Sequence, residues 1–117
     1  MHIIQLTFVL LITLFFSPAT WASSIAQGHD LFQNVCVYCH GMGDKQRFAP
    51  ILTGIGERRD VTWLNAWLKN PGKILKYDEY AQALLDGNDY GIHMPQIPSM
   101  KDDDKRASVI KYLLFKF

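Results

Sequence analysis

Two cysteines three positions apart and a histidine directly after them form the most specific chemical pattern in this chain, Cys36-Val37-Tyr38-Cys39-His40. On a turn of helix, two thiols at this spacing lie close enough to bond to the two vinyl groups along one edge of a haem. The histidine then lies under the macrocycle, where an imidazole nitrogen can ligate iron. The pattern therefore predicts one haem c, attached through Cys36 and Cys39, with His40 as an axial ligand.

Two other interpretations of the cysteine pair are weaker. A redox-active Cys-x-x-Cys needs a thioredoxin-like βαβ context, and no such context is visible in the sequence. A structural disulfide between Cys36 and Cys39 would leave His40 and the candidate ligands farther along the chain without a role. Haem attachment explains these residues together, and it uses both cysteines of the chain.

Three methionines, Met42, Met94 and Met100, are candidates for the second axial ligand. Met42 follows His40 by two residues, which is too near to reach the opposite face of the ring. Met100 lies just before an acidic helix start, where an apolar residue usually packs into the core. Met94 lies in a loop, and Pro95 stiffens the backbone behind it. An isolated methionine more often fills a gap in a core, but this context favours Met94 as the sixth ligand of the iron.

His93 competes with Met94 for this role, because imidazole binds iron more strongly than a thioether does. The alternative is that His93 is a solvent-facing loop residue beside the true ligand. His29, seven residues before Cys36, is expected to be an exposed residue of the first helix.

Aromatic and basic residues near the predicted site carry less specific signals. Trp63 and Trp67, four apart on one helix, either line the haem pocket, with one indole N–H bonded to a propionate, or pack in the core. Arg58 and Arg59 either neutralise propionates or form a solvated loop pair. Five other basic residues either surround the exposed haem edge and attract an acidic partner or form an ordinary charged surface. They are Lys45, Arg47, Lys69, Lys73 and Lys76.

Helices joined by Gly- and Pro-rich loops must position these residues, and the predicted fold class is all-α. Four helices are predicted, at about Ser24–Val35, Asp60–Lys69, Tyr77–Asp86 and Asp102–Phe117. Asn70-Pro71 is expected to stop the second helix, and Gly87 is expected to close the third in a left-handed conformation. Three carboxylates open the last helix, at the positive end of its dipole. Its apolar residues available for burial are Val109, Ile110, Leu113, Leu114 and Phe117.

The first residues are typical of a secretory signal peptide. Ile3–Phe16 is a mostly apolar run, and a small-x-small cleavage candidate follows that ends at Ala22. The sequence therefore divides into a signal peptide, 1–22, and one domain, 23–117, which is expected in the periplasm. No Lys or Arg precedes the run, so an uncleaved membrane anchor remains open, although a typical span needs roughly 20 apolar residues.

Size and charge limit the classes of partner. The formal net charge of the 117-residue chain is +1, and no basic stripe is visible, which argues against nucleic acid. A domain of this size has a modest core and often needs a metal, a disulfide or a cofactor to stabilise it. A haem meets that need, because a short chain can pack around its apolar plate.

Beyond the cysteine motif, further groups of residues occur along the chain in a consistent order. They are Gly28 with Phe32, Pro50 with Leu52 and Gly54, Met94 with Pro95 and Met100, and Tyr112. With them, essentially the whole sequence after residue 22 resembles a class I monohaem cytochrome c of the small bacterial periplasmic type. The resemblance implies a cytochrome c fold, in which about four helices and irregular loops surround one covalently bound haem.

The resemblance also implies roles for particular residues. Gly28 and Phe32 are expected where the first helix crosses the last, with Tyr112 as their aromatic partner. The carbonyl of Pro50 is expected to accept the Nδ1–H of His40, which would fix the tautomer and the orientation of the imidazole ring.

The function that follows is one-electron transfer in a respiratory chain, without enzymatic activity. With His40 and Met94 both on the iron, no coordination position is open to a substrate. The expected partners are donor and acceptor oxidoreductases, with a membrane only if the N-terminal segment is uncleaved. Two alternatives remain open. One is a gas or redox sensor, or a peroxidase-like site, with a displaceable sixth ligand, and the other is a fixed cytochrome subunit of a larger oxidoreductase.

Overall fold

The structure, a computed structural model, describes residues 19–42 and 45–117. Its regular elements are helices, and no strand occurs within these two ranges, so the predicted all-α fold class is confirmed. The α-helices are α1 (Ala19–Leu31), α2 (Val37–His40), α3 (Ile55–Arg58), α4 (Val61–Lys69), α5 (Pro71–Leu75), α6 (Glu79–Asp86) and α7 (Asp103–Lys116). A π-helical segment (Phe32–Cys36) joins α1 to α2, and a 3₁₀ turn (Pro98–Lys101) precedes α7.

The first helix begins earlier than predicted. It starts at Ala19 rather than Ser24, and it therefore passes through the predicted cleavage position after Ala22. Residues 1–18, the larger part of the predicted signal peptide, lie outside the described residues, and cleavage stays a prediction. In the part of the chain that the structure describes, no helix is long and apolar enough to cross a membrane.

The first and last helices cross where Gly28 contacts α7. A Cβ atom at Gly28 would lie 2.1 Å from the carbonyl oxygen of Ser108 and 2.8 Å from Cβ of Tyr112. These distances are far below van der Waals contact, so the helices can approach this closely only because residue 28 is glycine. Phe32 packs beside this point, with its ring centroid 5.4 Å from that of Tyr112. These four residues form the helix crossing, at the place that the resemblance implied.

The hydrophobic core extends from the helix crossing across one face of α7. Val109, Ile110 and Leu113 are buried, as predicted, and Met100 is only 2% exposed. Leu114 is 42% exposed, because it lies about 100° around the helix from Leu113 and so leaves the buried face. The other buried members of the core are Phe32, Leu52, Ile55, Leu64, Leu68 and Tyr112, with Phe117 partly buried against them.

The second predicted helix has the expected bounds. The side chain of Asp60 caps α4 by accepting a backbone N–H of its first turn, and the helix ends at Lys69. Asn70-Pro71 stops it, but the same two residues then begin α5, which was not predicted. The side chain of Asn70 accepts the backbone N–H of Lys73 at 3.1 Å, and Pro71 takes the first helical position, where its missing N–H is not needed.

The third predicted helix is shorter, and its end differs from the prediction. It begins at Glu79, because Asp78 caps it by accepting the backbone N–H of Ala81 at 2.8 Å. The prediction that Gly87 is left-handed is wrong, since its φ and ψ are −84° and 1°. Its N–H bonds to the carbonyl of Ala83 at 3.0 Å, so the last turn closes without the conformation that only glycine adopts readily.

Candidate haem-binding site

An open cavity lies between the cysteine motif, α4, α6 and the irregular loops beside them. It encloses about 1280 Å³ of space, part of it open to solvent, and its walls are mainly apolar. All five predicted site residues line it, namely Cys36, Cys39, His40, Pro50 and Met94. An apolar cavity with two thiols and an imidazole in its wall suits a large, flat, mainly apolar group.

The two cysteines lie on one continuous stretch of helix, Cys36 at the end of the π-helical segment and Cys39 in α2. They form no disulfide. Burial, and to a lesser degree the neighbouring Cys39, raises the pKa of the Cys36 thiol to about 11. A redox-active pair needs a thiolate and therefore a lowered pKa. The shift has the opposite direction, which argues against thiol–disulfide chemistry at this pair.

His40 ends α2, and Gly41, with a φ of 61°, turns the chain directly after it. The Nδ1 atom of His40 lies 3.1 Å from the carbonyl oxygen of Pro50. A carbonyl only accepts hydrogen bonds, so Nδ1 carries the proton and Nε2 keeps its lone pair. Burial lowers the pKa of the His40 imidazole, while the bond to Pro50 opposes this shift. A neutral ring with an unprotonated Nε2 is the form that ligates a metal.

The segment that carries Pro50 is fixed to the cysteine motif by further local bonds. The backbone N–H of Ala49 donates to the carbonyl of Cys39 at 3.2 Å. The Arg47 guanidinium donates to the carbonyl of Val37 at 3.4 Å. The partners in each of these contacts are about ten residues apart, so the His40 side of the cavity is built from neighbouring stretches of chain.

Met94 lies in an irregular stretch, residues 88–97, which we call the Met94 segment. Its sulfur accepts the indole N–H of Trp67 at 3.1 Å, and a thioether sulfur has a second lone pair that can bind a metal. Within the described ranges, residues 92–96 make no backbone–backbone hydrogen bond. The position of Met94 therefore depends on side chains of other elements.

The two other histidines named from the sequence differ in their relation to the cavity. His93 lines the cavity, and its Nδ1 lies 3.1 Å from the carbonyl oxygen of Met94. His29 is exposed, is not among the cavity residues, and has its ring 5.4 Å from that of Tyr112. The structure thus brings both candidate ligands, Met94 and His93, to the cavity, and the choice between them stays a prediction.

The two tryptophans of α4 line the cavity, and both indole N–H groups have protein acceptors. Their rings are stacked, with centroids 5.3 Å apart and planes at 12°. The N–H of Trp63 donates to a carboxylate oxygen of Asp78 at 3.1 Å, and the N–H of Trp67 donates to Met94. In this arrangement neither indole N–H is free to donate to a propionate. The N–H of Trp67 instead holds the Met94 sulfur.

The two predicted arginines have different surroundings. Arg58 lines the cavity, and its guanidinium donates to the carbonyls of Thr53 and Ile51 at 2.5 and 2.8 Å. The guanidinium of Arg59 lies 3.7 Å from the centroid of the Tyr80 ring, which also lines the cavity. Its Nε is buried and finds no hydrogen-bond acceptor among the described residues. A buried N–H without an acceptor, next to the cavity residue Tyr80, is consistent with a bound group whose carboxylates could accept that N–H.

Five basic residues were predicted either to surround the exposed haem edge or to form an ordinary charged surface. All five are exposed, and none of them lines the cavity. They are Lys45, Arg47, Lys69, Lys73 and Lys76. Their one contact with the site, among the described residues, is the bond from Arg47 to the Val37 carbonyl of the cysteine motif.

Two polar residues that sequence reasoning missed hold the Met94 segment. Asn88 lines the cavity and donates to the carbonyl of Phe48 at 2.8 Å. Arg106 is 3% exposed and donates to the carbonyl of Met100 at 2.8 Å, just after the segment ends. An asparagine in a Gly-rich loop is ordinary turn composition, and an arginine after three aspartates is typical of an exposed helix start, so neither carried a signal.

Comparison with known proteins agrees with this geometry. The model of the family described as cytochrome c matches residues 25–115, and no curated protein matches the chain. Cytochrome c from Rhodothermus marinus has a similar structure, with a TM-score of 0.69, 23% identity, and coverage of 80% of this chain and 77% of that chain. An engineered cytochrome c from the same organism, bound to a carbene intermediate, gives a TM-score of 0.67, 20% identity and the same coverage.

The two structural similarities establish the fold, and the family match adds the chemistry. Proteins of this family hold a covalently attached haem and are generally electron carriers. The cavity, the cysteine pair and the oriented imidazole are what such a group requires. Because the family match spans most of the sequence and includes the whole motif, the chain belongs to the cytochrome c family, with the class I fold that its sequence resembles.

Proposed function

We propose that this protein is a one-electron carrier of a respiratory chain in the periplasm, with one haem c bonded to Cys36 and Cys39 and ligated by His40 and Met94. One observation supports this more than any other. Both thiols, the oriented imidazole and the Met94 sulfur lie in the wall of one apolar cavity. When bound, the haem supplies an iron that alternates between Fe(II) and Fe(III).

The two proposed ligands decide between electron transfer and catalysis. With His40 and Met94 both holding the iron, no coordination position would remain for a substrate. The soft sulfur of Met94 favours Fe(II), and apolar walls disfavour the more highly charged ferric state, so both raise the reduction potential. The Pro50 carbonyl orients His40 and the Trp67 N–H holds Met94, so the ligands need little rearrangement during transfer.

Exposed features of the site indicate where a redox partner would bind, and the predicted signal peptide indicates where the protein would be located. Cys39 is exposed, and the cavity is open on one side, so a haem bonded there would present an edge to the surface. Donor and acceptor oxidoreductases are the proposed partners, which would bind briefly at this edge. The predicted signal peptide supports a periplasmic location, where c-type haem is attached.

Replacement of Met94 by Ala in the haem-loaded protein tests this function. We expect the variant to keep its haem through extraction with organic solvent, to lose the far-red band of a Met–Fe(III) bond, to bind carbon monoxide, and to have a lower potential. Met42→Ala is the matched control, because Met42 is an exposed methionine close to the motif.

His93→Ala separates the two candidate ligands. If Met94→Ala leaves the spectrum and the potential unchanged while His93→Ala alters both, the assignment of Met94 is wrong. High-spin ferric iron in the unmodified protein would instead favour a sensor or a peroxidase-like site. Gel filtration and co-purification distinguish a free carrier from a fixed subunit of an oxidoreductase.

A further inference from the structure

Two irregular stretches surround the proposed ligands: the loop with Phe48 and Pro50, which orients His40, and the Met94 segment. A hydrogen bond from one side chain, Asn88, joins them. The Asn88 amide nitrogen donates to the carbonyl of Phe48 at 2.8 Å, across 40 positions of sequence. Asn88 opens the Met94 segment, and Phe48 lies two residues before Pro50, which orients His40. Both Asn88 and Phe48 line the cavity.

The other end of the same amide folds the Met94 segment itself. The side-chain oxygen of Asn88 accepts the backbone N–H of Tyr90 at 2.9 Å and that of Ile92 at 3.2 Å. Ile92 precedes Met94 by two residues, and beyond it the backbone makes no further backbone–backbone bond before Ile97, within the described ranges. Within the described ranges, Asn88 is therefore the last side chain that accepts a backbone N–H of this segment before Met94.

On the opposite side, three consecutive residues each make one bond in a different direction. The Phe48 carbonyl accepts from Asn88, the Ala49 N–H donates to Cys39, and the Pro50 carbonyl faces His40. Since proline restricts its own φ and disfavours helical conformations of the preceding residue, this tripeptide is stiff. Phe48 is therefore linked to the Pro50 carbonyl, which orients His40, through one residue, Ala49, that is itself bonded to Cys39.

An aromatic contact reinforces this connection. The rings of Phe48 and Tyr90 meet edge to face, with centroids 5.2 Å apart and planes at 66°. The two segments are therefore joined twice, once by these rings and once by the bond from the Asn88 amide to the Phe48 carbonyl. We call this arrangement of Asn88, Phe48 and Tyr90 the Asn88 clasp.

We propose that Asn88 is a positioning residue that couples the two axial sides of the site and restricts the displacement of Met94 by small ligands. This inference rests on the proposed ligation by His40 and Met94. When the clasp is closed, the Met94 segment cannot move outward without breaking the bond to Phe48. When it is broken, the bond from Trp67, the packing of Met94 and Ile97 against the core and the downstream turn still hold the segment, but less firmly, and an external ligand competes better for the iron.

Two substitutions of Asn88 in the haem-loaded protein separate the bond that it donates to Phe48 from the bonds that it accepts from Tyr90 and Ile92. Asn88→Asp keeps an oxygen that can accept from Tyr90 and Ile92 but removes the donor to Phe48, whereas Asn88→Ala removes both. Gln82→Ala is the matched control, because Gln82 also donates an amide N–H to a carbonyl, that of Leu75 at 3.1 Å, without joining the two segments.

The probe is imidazole, a neutral ligand, titrated into the ferric protein and followed by the far-red Met–Fe(III) band. Loss of one hydrogen bond of ordinary strength predicts that imidazole binds about three- to tenfold more tightly to both Asn88 variants than to the unmodified protein. Gln82→Ala is expected to bind imidazole like the unmodified protein. The near-isosteric Asn88→Asp keeps the test valid if Asn88→Ala folds poorly.

The outcomes distinguish this inference from the proposed function. If the unmodified protein lacks the far-red band, the Met94 ligation fails, and the clasp fails with it. If the band is present but both Asn88 variants bind imidazole like the unmodified protein, the ligation stands and the clasp is overturned. If imidazole binds more tightly to Asn88→Ala but not to Asn88→Asp, the coupling is also overturned, because loss of the bond to Phe48 would then have no effect on the displacement of Met94.

Discussion

The helix crossing and the Met94 segment are held together by different kinds of interaction. At the crossing, Gly28 lets two helices approach until a methyl group would not fit, and Phe32 is completely buried between them. The Met94 segment has little regular structure of its own, and polar contacts with Asn88 and Trp67 hold it in place. One region is a dense contact of backbone and aromatic rings, with a hydrogen bond from Ser108 to Gln27 beside it, and the other is an irregular stretch anchored at a few points.

This difference separates the stability of the domain from the properties of its proposed ligand. Close apolar packing at the crossing supplies free energy of folding through burial and dispersion. A few hydrogen bonds of about 1 kcal/mol each supply much less. They are sufficient to hold one sulfur in place. Substitutions at the crossing should therefore lower the free energy of unfolding, and substitutions around Met94 should change how easily it is displaced.

Arg106 connects the two regions. It lies in α7, two residues before the crossing residue Ser108, and its guanidinium donates to the carbonyl of Met100 and to the side-chain oxygen of Asn65 at 2.7 Å. It also donates to Asp103, and this bond is the main cause of the lowered pKa of that carboxyl group. Through Met100 and Asn65, Arg106 joins the 3₁₀ turn that follows the Met94 segment to α4, the helix that carries Trp67.

Gly28→Ala is expected to have the largest effect on stability. The added methyl group would collide with the backbone of α7, which cannot move aside as a flexible side chain can, so the free energy of unfolding should fall by about 3 kcal/mol or more. Urea unfolding of the haem-loaded protein, followed by circular dichroism, measures this. The folded fraction should keep its far-red band and its affinity for imidazole.

Gly72→Ala is the matched control for this substitution. A Cβ atom at Gly72 would lie 3.8 Å from its nearest neighbour, an oxygen of Asn70, which is an ordinary contact. Since alanine favours a helix more than glycine does, stability should be unchanged or rise by up to about 1 kcal/mol. If Gly28→Ala alters imidazole affinity as strongly as the Asn88 variants do, the two regions are not separate.

Arg106→Met is expected to affect both regions, because Arg106 joins them. The substitution leaves the Met100 carbonyl buried without its donor and removes the bond to Asn65, an exposed residue, at a cost of about 1–3 kcal/mol in the free energy of unfolding. It also frees the downstream end of the Met94 segment, so imidazole should bind more tightly. Urea unfolding and imidazole titration of the same sample measure the two effects.

Arg47→Met provides the comparison for Arg106→Met. Arg47 is exposed and, within the described residues, makes one long bond, to the Val37 carbonyl, so its loss should change stability by less than about 0.5 kcal/mol. A fall in stability for Arg106→Met with no change in imidazole affinity would show that Arg106 supports the core without holding Met94.

How much could be predicted from the sequence differs between the His40 side of the site, the core and the Met94 segment. The His40 side was predictable, because the motif is contiguous and the bond to Pro50 spans ten residues. The core face of α7 followed from apolar periodicity, apart from Leu114. For the Met94 segment the sequence predicted an irregular loop but not what holds it, because its anchors lie 27 positions away at Trp67 and, for Asn88, 40 positions away at Phe48. No local pattern encodes such pairings.

Trp67→Phe is expected to have the smallest effect, and it isolates the contact between Trp67 and the Met94 sulfur. A donated N–H withdraws electron density from the sulfur, which makes the sulfur a poorer donor to Fe(III) and so raises the potential. Phenylalanine keeps an aromatic ring against Trp63 but has no N–H. The reduction potential should therefore fall by some tens of millivolts, on the order of one hydrogen bond expressed for a one-electron couple.

Trp63→Phe is the control that gives this measurement its meaning. The indole N–H of Trp63 donates to Asp78 and not to Met94, so its loss changes the same aromatic stack without removing the bond to the sulfur. Potentiometric titration of both variants should show the larger fall for Trp67→Phe. Equal falls would mean that the potential responds to the packing and polarity of the stack, and that the hydrogen bond to Met94 positions the ligand without tuning it.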